Sequence, residues 1–153
     1  MSDSIQASVN PAEIAEILRK AGYRALVVEG SRPPQVQSAT QGVAFIVNCG
    51  NAMPDQPGRF IDFSLHCPIG LKGQLPQERV ESWNQSKRFA RVCRNGGNLL
   101  LSMDVMVAGG VTESFLHGQF ELWDHVIRDF VRHFSQKATA KPAAAVASVA
   151  KER

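Results

Sequence analysis

Apolar and polar residues along this chain repeat with two periods, and the alternation between them outlines the fold. Asn10, Pro11 and Glu13 form a helix-start signature: an Asn cap, a first-turn proline and an acidic residue able to reach back to the cap. Ile14, Ile17, Leu18 and Ala21 follow at helical spacing, and Gly22 supplies the stop. "YRALVVEG" (23–30) then predicts a strand. "SRPPQ" reads as a turn, because two prolines forbid interior ladder bonds, and "VQS" as a short edge segment at most. After the turn-like "ATQG", "VAFIVNC" (43–49) is a β-branched and aromatic strand, and "GNAMPDQPG" is a loop. In "RFIDFSLHC" (59–67), Ile61, Phe63, Leu65 and Cys67 alternate with Asp62, Ser64 and His66, the mark of a strand with one buried face.

Pro76 opens a second predicted helix, with Glu78 and Glu81 early, Arg88 late, and Val80 and Trp83 facing inward. "RVCRNGGNLLLSMDVMV" reads as a hairpin turning at "NGG", with Leu99, Leu101, Met103, Val105 and Val107 on one side of its longer strand. From Thr112, a plausible cap, the period becomes helical. Leu116, Phe120, Trp123, Ile127, Phe130 and Phe134 fall within about 80° of one another at roughly 100° per residue, a stripe heavy enough to lid a sheet. The order is therefore helix, three strands, helix, two strands, helix. Strands meet strands through turns, which predicts an α+β fold with a largely antiparallel sheet. Residues 1–9 are expected to be a flexible N-terminus, 10–134 a single domain, and 135–153 a disordered Ala/Lys-rich tail.

Charge narrows the partners. The formal net charge is +3, but Lys137, Lys141, Lys151 and Arg153 against Glu152 account for all of it. Residues 1–134 sum to zero, so the domain lacks the broad basic surface that nucleic-acid binding exploits, and no specific nucleic acid is expected. The opening "MSDSIQASVN" lacks the pattern of a secretory signal, and no run approaches a membrane span, so no membrane insertion is expected. Three cysteines, widely spaced and odd in number, suit a reducing cytoplasm.

Candidate chemistry is sparse. Gly109 and Gly110 lack the spacing and the following lysine of a phosphate-gripping loop and read as corner geometry. His117, His125 and His133 are eight residues apart, so they fan around a helix rather than converge on a metal. His66 and Cys67 are adjacent on a strand and point to opposite faces. Asp62 and Asp104 occupy polar strand faces and could meet only if their strands pair. No catalytic, cofactor or metal site is expected.

The run "ESWNQSKRFARV", followed by "GGNLLLSMDVMVAGGVTESFLHGQFELW", resembles the YbjN family of bacterial proteins. Trp83 and Asn84 match the family's tryptophan-asparagine pair near a helix end, and Arg88, Phe89 and Ala90 its Arg-Phe-Ala segment. Asp104, Val105, Gly109, Gly110 and Val111 match its strand-ending Asp and Gly-Gly-Val corner. The resemblance covers residues 11–134 and also takes in "EIAEILRKAGYRA" and "QGVAFIV". It implies a fold similar to type III secretion chaperones, a curved antiparallel sheet with helices packed on it, often dimeric, and a sensory-transduction regulator without established catalysis. The proline-bearing "SRPPQVQS" and the tail depart from it.

The function expected is a non-enzymatic, cytoplasmic interaction or regulatory module that binds a protein partner or its own copy as a homodimer. Phe115 and Val126 flank the last helix's stripe and would form an apolar interface patch if they stay exposed. The alternative is a small metabolite-binding protein or enzyme using polar groups around Asp62, Asn84 and Asp104. Nucleic-acid binding through the basic tail is a third reading.

Overall fold

A computed structural model of the chain describes residues 4–71 and 73–136. In chain order they form β1 (Ile5–Gln6), α1 (Pro11–Lys20), β2 (Leu26–Val28), β3 (Gln35–Thr40), β4 (Val43–Cys49) and β5 (Asp62–Gly70). Then come α2 (Gln77–Ser86), β6 (Arg91–Asn95), β7 (Asn98–Met106), β8 (Val111–Thr112) and α3 (Glu113–Gln136). The class is α+β. Six strands make one antiparallel sheet in the order β2-β3-β4-β5-β7-β6, and β1 pairs with β8 in a separate ribbon.

The local signals act where the sequence places them. The Asn10 side chain accepts from the Glu13 amide at 2.8 Å and the Glu13 carboxylate accepts from the Asn10 amide, a complete capping box. Gly22 ends α1 at φ +97°. At the start of α3 the Thr112 hydroxyl accepts from the Phe115 amide at 3.0 Å. Gln41 and Gly42 both have positive φ, 53° and 77°, which is what the two-residue turn between β3 and β4 requires.

Alternation puts Val43, Phe45, Val47, Phe63, Leu65, Cys67, Leu99, Leu101, Met103 and Val105 on one sheet face, all buried. The α3 stripe seals it: Leu116, Phe120, Trp123, Ile127, Phe130 and Phe134 are each at most 3% exposed. Phe63 stacks on Phe120 and Phe45 meets Trp123 edge-on, both at 5.9 Å between centroids. α1 adds Ile14, Ala15, Ile17 and Leu18, and α2 adds Val80 and Trp83, to the same core.

Five expectations need correction. "VQS" is no edge: β3 runs six residues between β2 and β4, because Pro33 and Pro34 both precede it and every strand residue keeps its amide. The edge is the three-residue β2. The N-terminal segment expected to fray is instead placed in the fold from Ile5 on, with Val9 fully buried and exchanging backbone bonds with Phe60 at 2.9 and 2.8 Å. α2 stops at Ser86, so Arg88 is not a late helical residue but lies in the following loop. The β6–β7 hairpin turns at Gly96 and Gly97, with Asn95 still in its strand opposite Asn98. Finally, Val126 is 6% exposed and belongs to the core rather than to an exposed flank of α3. The tail expected beyond the domain lies, from residue 137 on, outside the described residues.

Candidate functional site

The chemistry-bearing residues singled out from the sequence fall at four separate places, and at each the geometry shows what occupies them. At the Gly-Gly corner, Gly109 and Gly110 have φ of +89° and +102°, and the Gly110 amide donates to the Val107 carbonyl at 2.9 Å. A Cβ on Gly110 would come within 2.6 Å of Ile5 Cγ2, so β1 passes directly over this glycine. The first helical residue after the corner, Glu113, is 7% exposed and lies 3.6 Å from Lys20 Nζ. A buried carboxylate at a helix N-terminus repels the anion that a phosphate loop would hold. The corner turns the chain and anchors the N-terminal strand.

The second place is the junction of α2 and β6. Trp83 Nε1 donates to the Ala90 carbonyl at 3.2 Å. The adjacent Asn84 side chain accepts from the Val92 amide at 2.9 Å and donates to the Val92 carbonyl at 2.8 Å, as a neighbouring strand would. β6 is an edge strand, so Asn84 satisfies backbone groups that would otherwise be open to another chain. Trp83 is buried against Phe130 at 5.8 Å, His133 at 5.5 Å and Phe134 at 6.4 Å. The loop that this clamp holds presents Phe89 at φ +77° and 59% exposed, with the Arg88 guanidinium 4.7 Å above its ring centroid.

The third place is the sheet face turned away from the helices. Here Asp104 lies opposite Ser64, whose hydroxyl donates to its carboxylate at 2.6 Å, and Arg91 approaches at 3.4 Å. The Ser64 hydrogen bond, with help from Arg91 and His66 and against partial burial, holds the Asp104 carboxyl below its ordinary range. His66, one pair along, is depressed by burial; nearby Asp104 opposes that shift and Arg91 adds to it. Its Nδ1 lies 2.8 Å from Asn48 Nδ2, while Asn48 Oδ1 is buried without a partner. Ser102, opposite both His66 and Arg91, is 3% exposed. Around this polar row the same face shows Leu26 and Met106, 62% and 61% exposed.

The fourth is Asp62 at the start of β5. It lies opposite Met106, not Asp104, and its carboxylate accepts from the Asn51 amide at 2.9 Å and the Asn51 side chain at 2.7 Å. Thus Asp62 and Asp104 share a sheet face but hold different partners, and Asn84 sits at the helix junction bound to Val92. The three do not form one cleft.

His117 neighbours Glu121 at 3.6 Å, His125 neighbours Arg128 at 3.3 Å, and His133 lies against Trp83 and the Arg79 carbonyl. Among the described residues no three His, Cys, Asp or Glu side chains are grouped to hold a metal ion. The three cysteines are thiols: Cys49 and Cys67 are buried, Cys93 is exposed on the open face, and burial pushes the Cys49 thiol up to about 11. Of the remaining flagged residues, Phe115 is 41% exposed. Sequence reasoning missed His66, Asn48, Ser64 and Ser102 as a group. Alternation put them all on polar strand faces, but their association needs the strand register.

These features define a class: an α+β module with three helices closing one side of an antiparallel sheet and the other side bare. The chain belongs to the YbjN family, described as "Putative bacterial sensory transduction regulator", whose model matches residues 10–136. No curated protein and no solved structure matches the chain. Among the described residues no helix is long and apolar enough to cross a membrane.

Proposed function

We propose that this chain is a non-enzymatic regulatory module that acts by binding another protein, in the manner of a secretion chaperone, or a second copy of itself. The observation that carries the reading is the sheet face that no helix covers, where Leu26 and Met106 stand exposed and Ile46 and Leu100 half-buried around a polar row. Apolar side chains left exposed on an uncovered face mark interaction surfaces. The family's description as regulators agrees with it. Three thiols outside any disulfide suit a cytoplasmic setting. The small-ligand alternative built on Asp62, Asn84 and Asp104 loses its support, because each of those side chains is committed to a different neighbour.

Light scattering and crosslinking of the full chain test the reading, compared with a Leu26→Lys/Met106→Lys variant. Association, with itself or with a crosslinked partner, is expected in the parent and is lost in the variant while its circular dichroism stays unchanged. A parent that is strictly monomeric and crosslinks to nothing in native cell extract would remove the proposal.

A further inference from the structure

The segment 82–103 contains Lys87, Arg88, Arg91 and Arg94 and no Asp or Glu, although residues 1–134 as a whole are neutral. This local excess surrounds a strained, exposed aromatic. Phe89 holds φ +77°, a region that side chains with a Cβ disfavour, yet its ring is 59% exposed. Packing does not explain why the fold keeps a phenylalanine there. The conformation is over-determined from both sides: Trp83 holds the Ala90 carbonyl, Asn84 holds both backbone groups of Val92, and the Lys87 amide donates to the Trp83 carbonyl at 2.8 Å. An aromatic held outward against its own backbone preference points to a function for the ring.

We propose that the corner between α2 and β6 is a docking site for a segment of a partner protein in which acidic residues flank an apolar one. This rests on the reading of the chain as a protein-binding module and names the chemistry of its partner. Arg88 sits over the Phe89 ring, and among the described residues neither Arg88 nor Lys87 forms an ion pair with a carboxylate. The guanidinium is therefore open to a bidentate carboxylate, while the ring gives an apolar side chain something to pack against. Arg94 is turned to the Leu75 carbonyl and Gln77, and Arg91 approaches Asp104, so specificity at the corner falls to Arg88, Phe89 and Lys87. A single ring fits one side chain of a peptide. A nucleic-acid strand needs successive stacking platforms along a basic groove, and residues 1–134 outside this segment carry an excess of acid that would repel a long polyanion.

The test is fluorescence anisotropy of the full chain with short labelled probes: a peptide of Glu and Leu, one of Lys and Leu, one of Glu and Ser, and an oligothymidylate. The Glu/Leu peptide is expected to bind best, less tightly as salt rises. Arg88→Glu reverses the preference toward the Lys/Leu peptide. Phe89→Gly, which removes the ring and relieves the backbone, weakens Glu/Leu binding by about tenfold without lowering the melting temperature. Failure of the Glu/Leu peptide to bind, equal binding of both Leu peptides, preference for the oligonucleotide, or indifference to both substitutions overturns the site. Association that survives Arg88→Glu and Phe89→Gly but is lost in Leu26→Lys/Met106→Lys would overturn the corner alone and leave the module reading standing.

Discussion

The Asn84 clamp offers the sharpest check of the structural reasoning. Replacing Asn84 with Ala removes two hydrogen bonds to Val92, of 2.8 and 2.9 Å. Each is worth about 0.5–1.5 kcal/mol net, so the gross loss is about 1–3 kcal/mol. Two effects reduce it. Asn84 is exposed, so water can reach the released groups, and Ala is the better helix former by roughly 0.5 kcal/mol at this position near the end of α2. The expected net cost is about 0.5–2 kcal/mol, a fall in melting temperature of roughly 2–7 °C for a domain of this size. Asn84→Asp separates the two bonds. It can still accept from the Val92 amide but sets a carboxylate oxygen against the Val92 carbonyl, and should be no more stable than the Ala variant. Calorimetry gives the stability, and hydrogen exchange gives the local signature: the Val92 amide loses protection while the β5–β7 ladder keeps its own. If Asn84→Ala melts with the parent and Val92 stays protected, the side chain is not closing the sheet edge and the reasoning fails.

Three further outcomes follow from the same geometry. Gly110→Ala should cost distinctly more than Gly109→Ala: both impose a positive-φ penalty of about 1–2 kcal/mol, but only Gly110 has Ile5 Cγ2 within 2.6 Å of the added methyl; equal denaturation midpoints would refute the β1 crossing. In the native protein a thiol reagent should label Cys93 rapidly and modify Cys49 and Cys67 only on unfolding, and rapid native labelling of Cys49 would contradict a thiol pushed up to about 11 and buried. His66 is depressed below 6.5 by burial, so the fold disfavours its protonated form, and the stability it contributes is present above pH 6.5 and lost as pH falls through the folded value. His66→Gln should therefore flatten the decline in urea midpoint below pH 6.5; an unchanged slope would show that His66 is not the group titrating.

The sequence by itself determined the class, the helix boundaries at Asn10, Gly22 and Thr112, and the buried face of nearly every strand. Those features are local: a cap needs only its next three residues, and alternation or a helical stripe is written in consecutive positions. The turn was legible too, since two adjacent glycines between a strand and a helix mark a corner, and both take positive φ. The tertiary structure alone decided the rest, because the deciding contacts join residues distant in sequence. The register between β5 and β7 set Asp104 against Ser64 and left Asp62 to Asn51, where the alternating pattern left their separation open. Packing of the helices on the sheet buried Val126 and left Phe115 exposed. Folding of α2 onto β6 turned Trp83 and Asn84 from a short motif into a clamp on Ala90 and Val92, with Phe89 held outward between them.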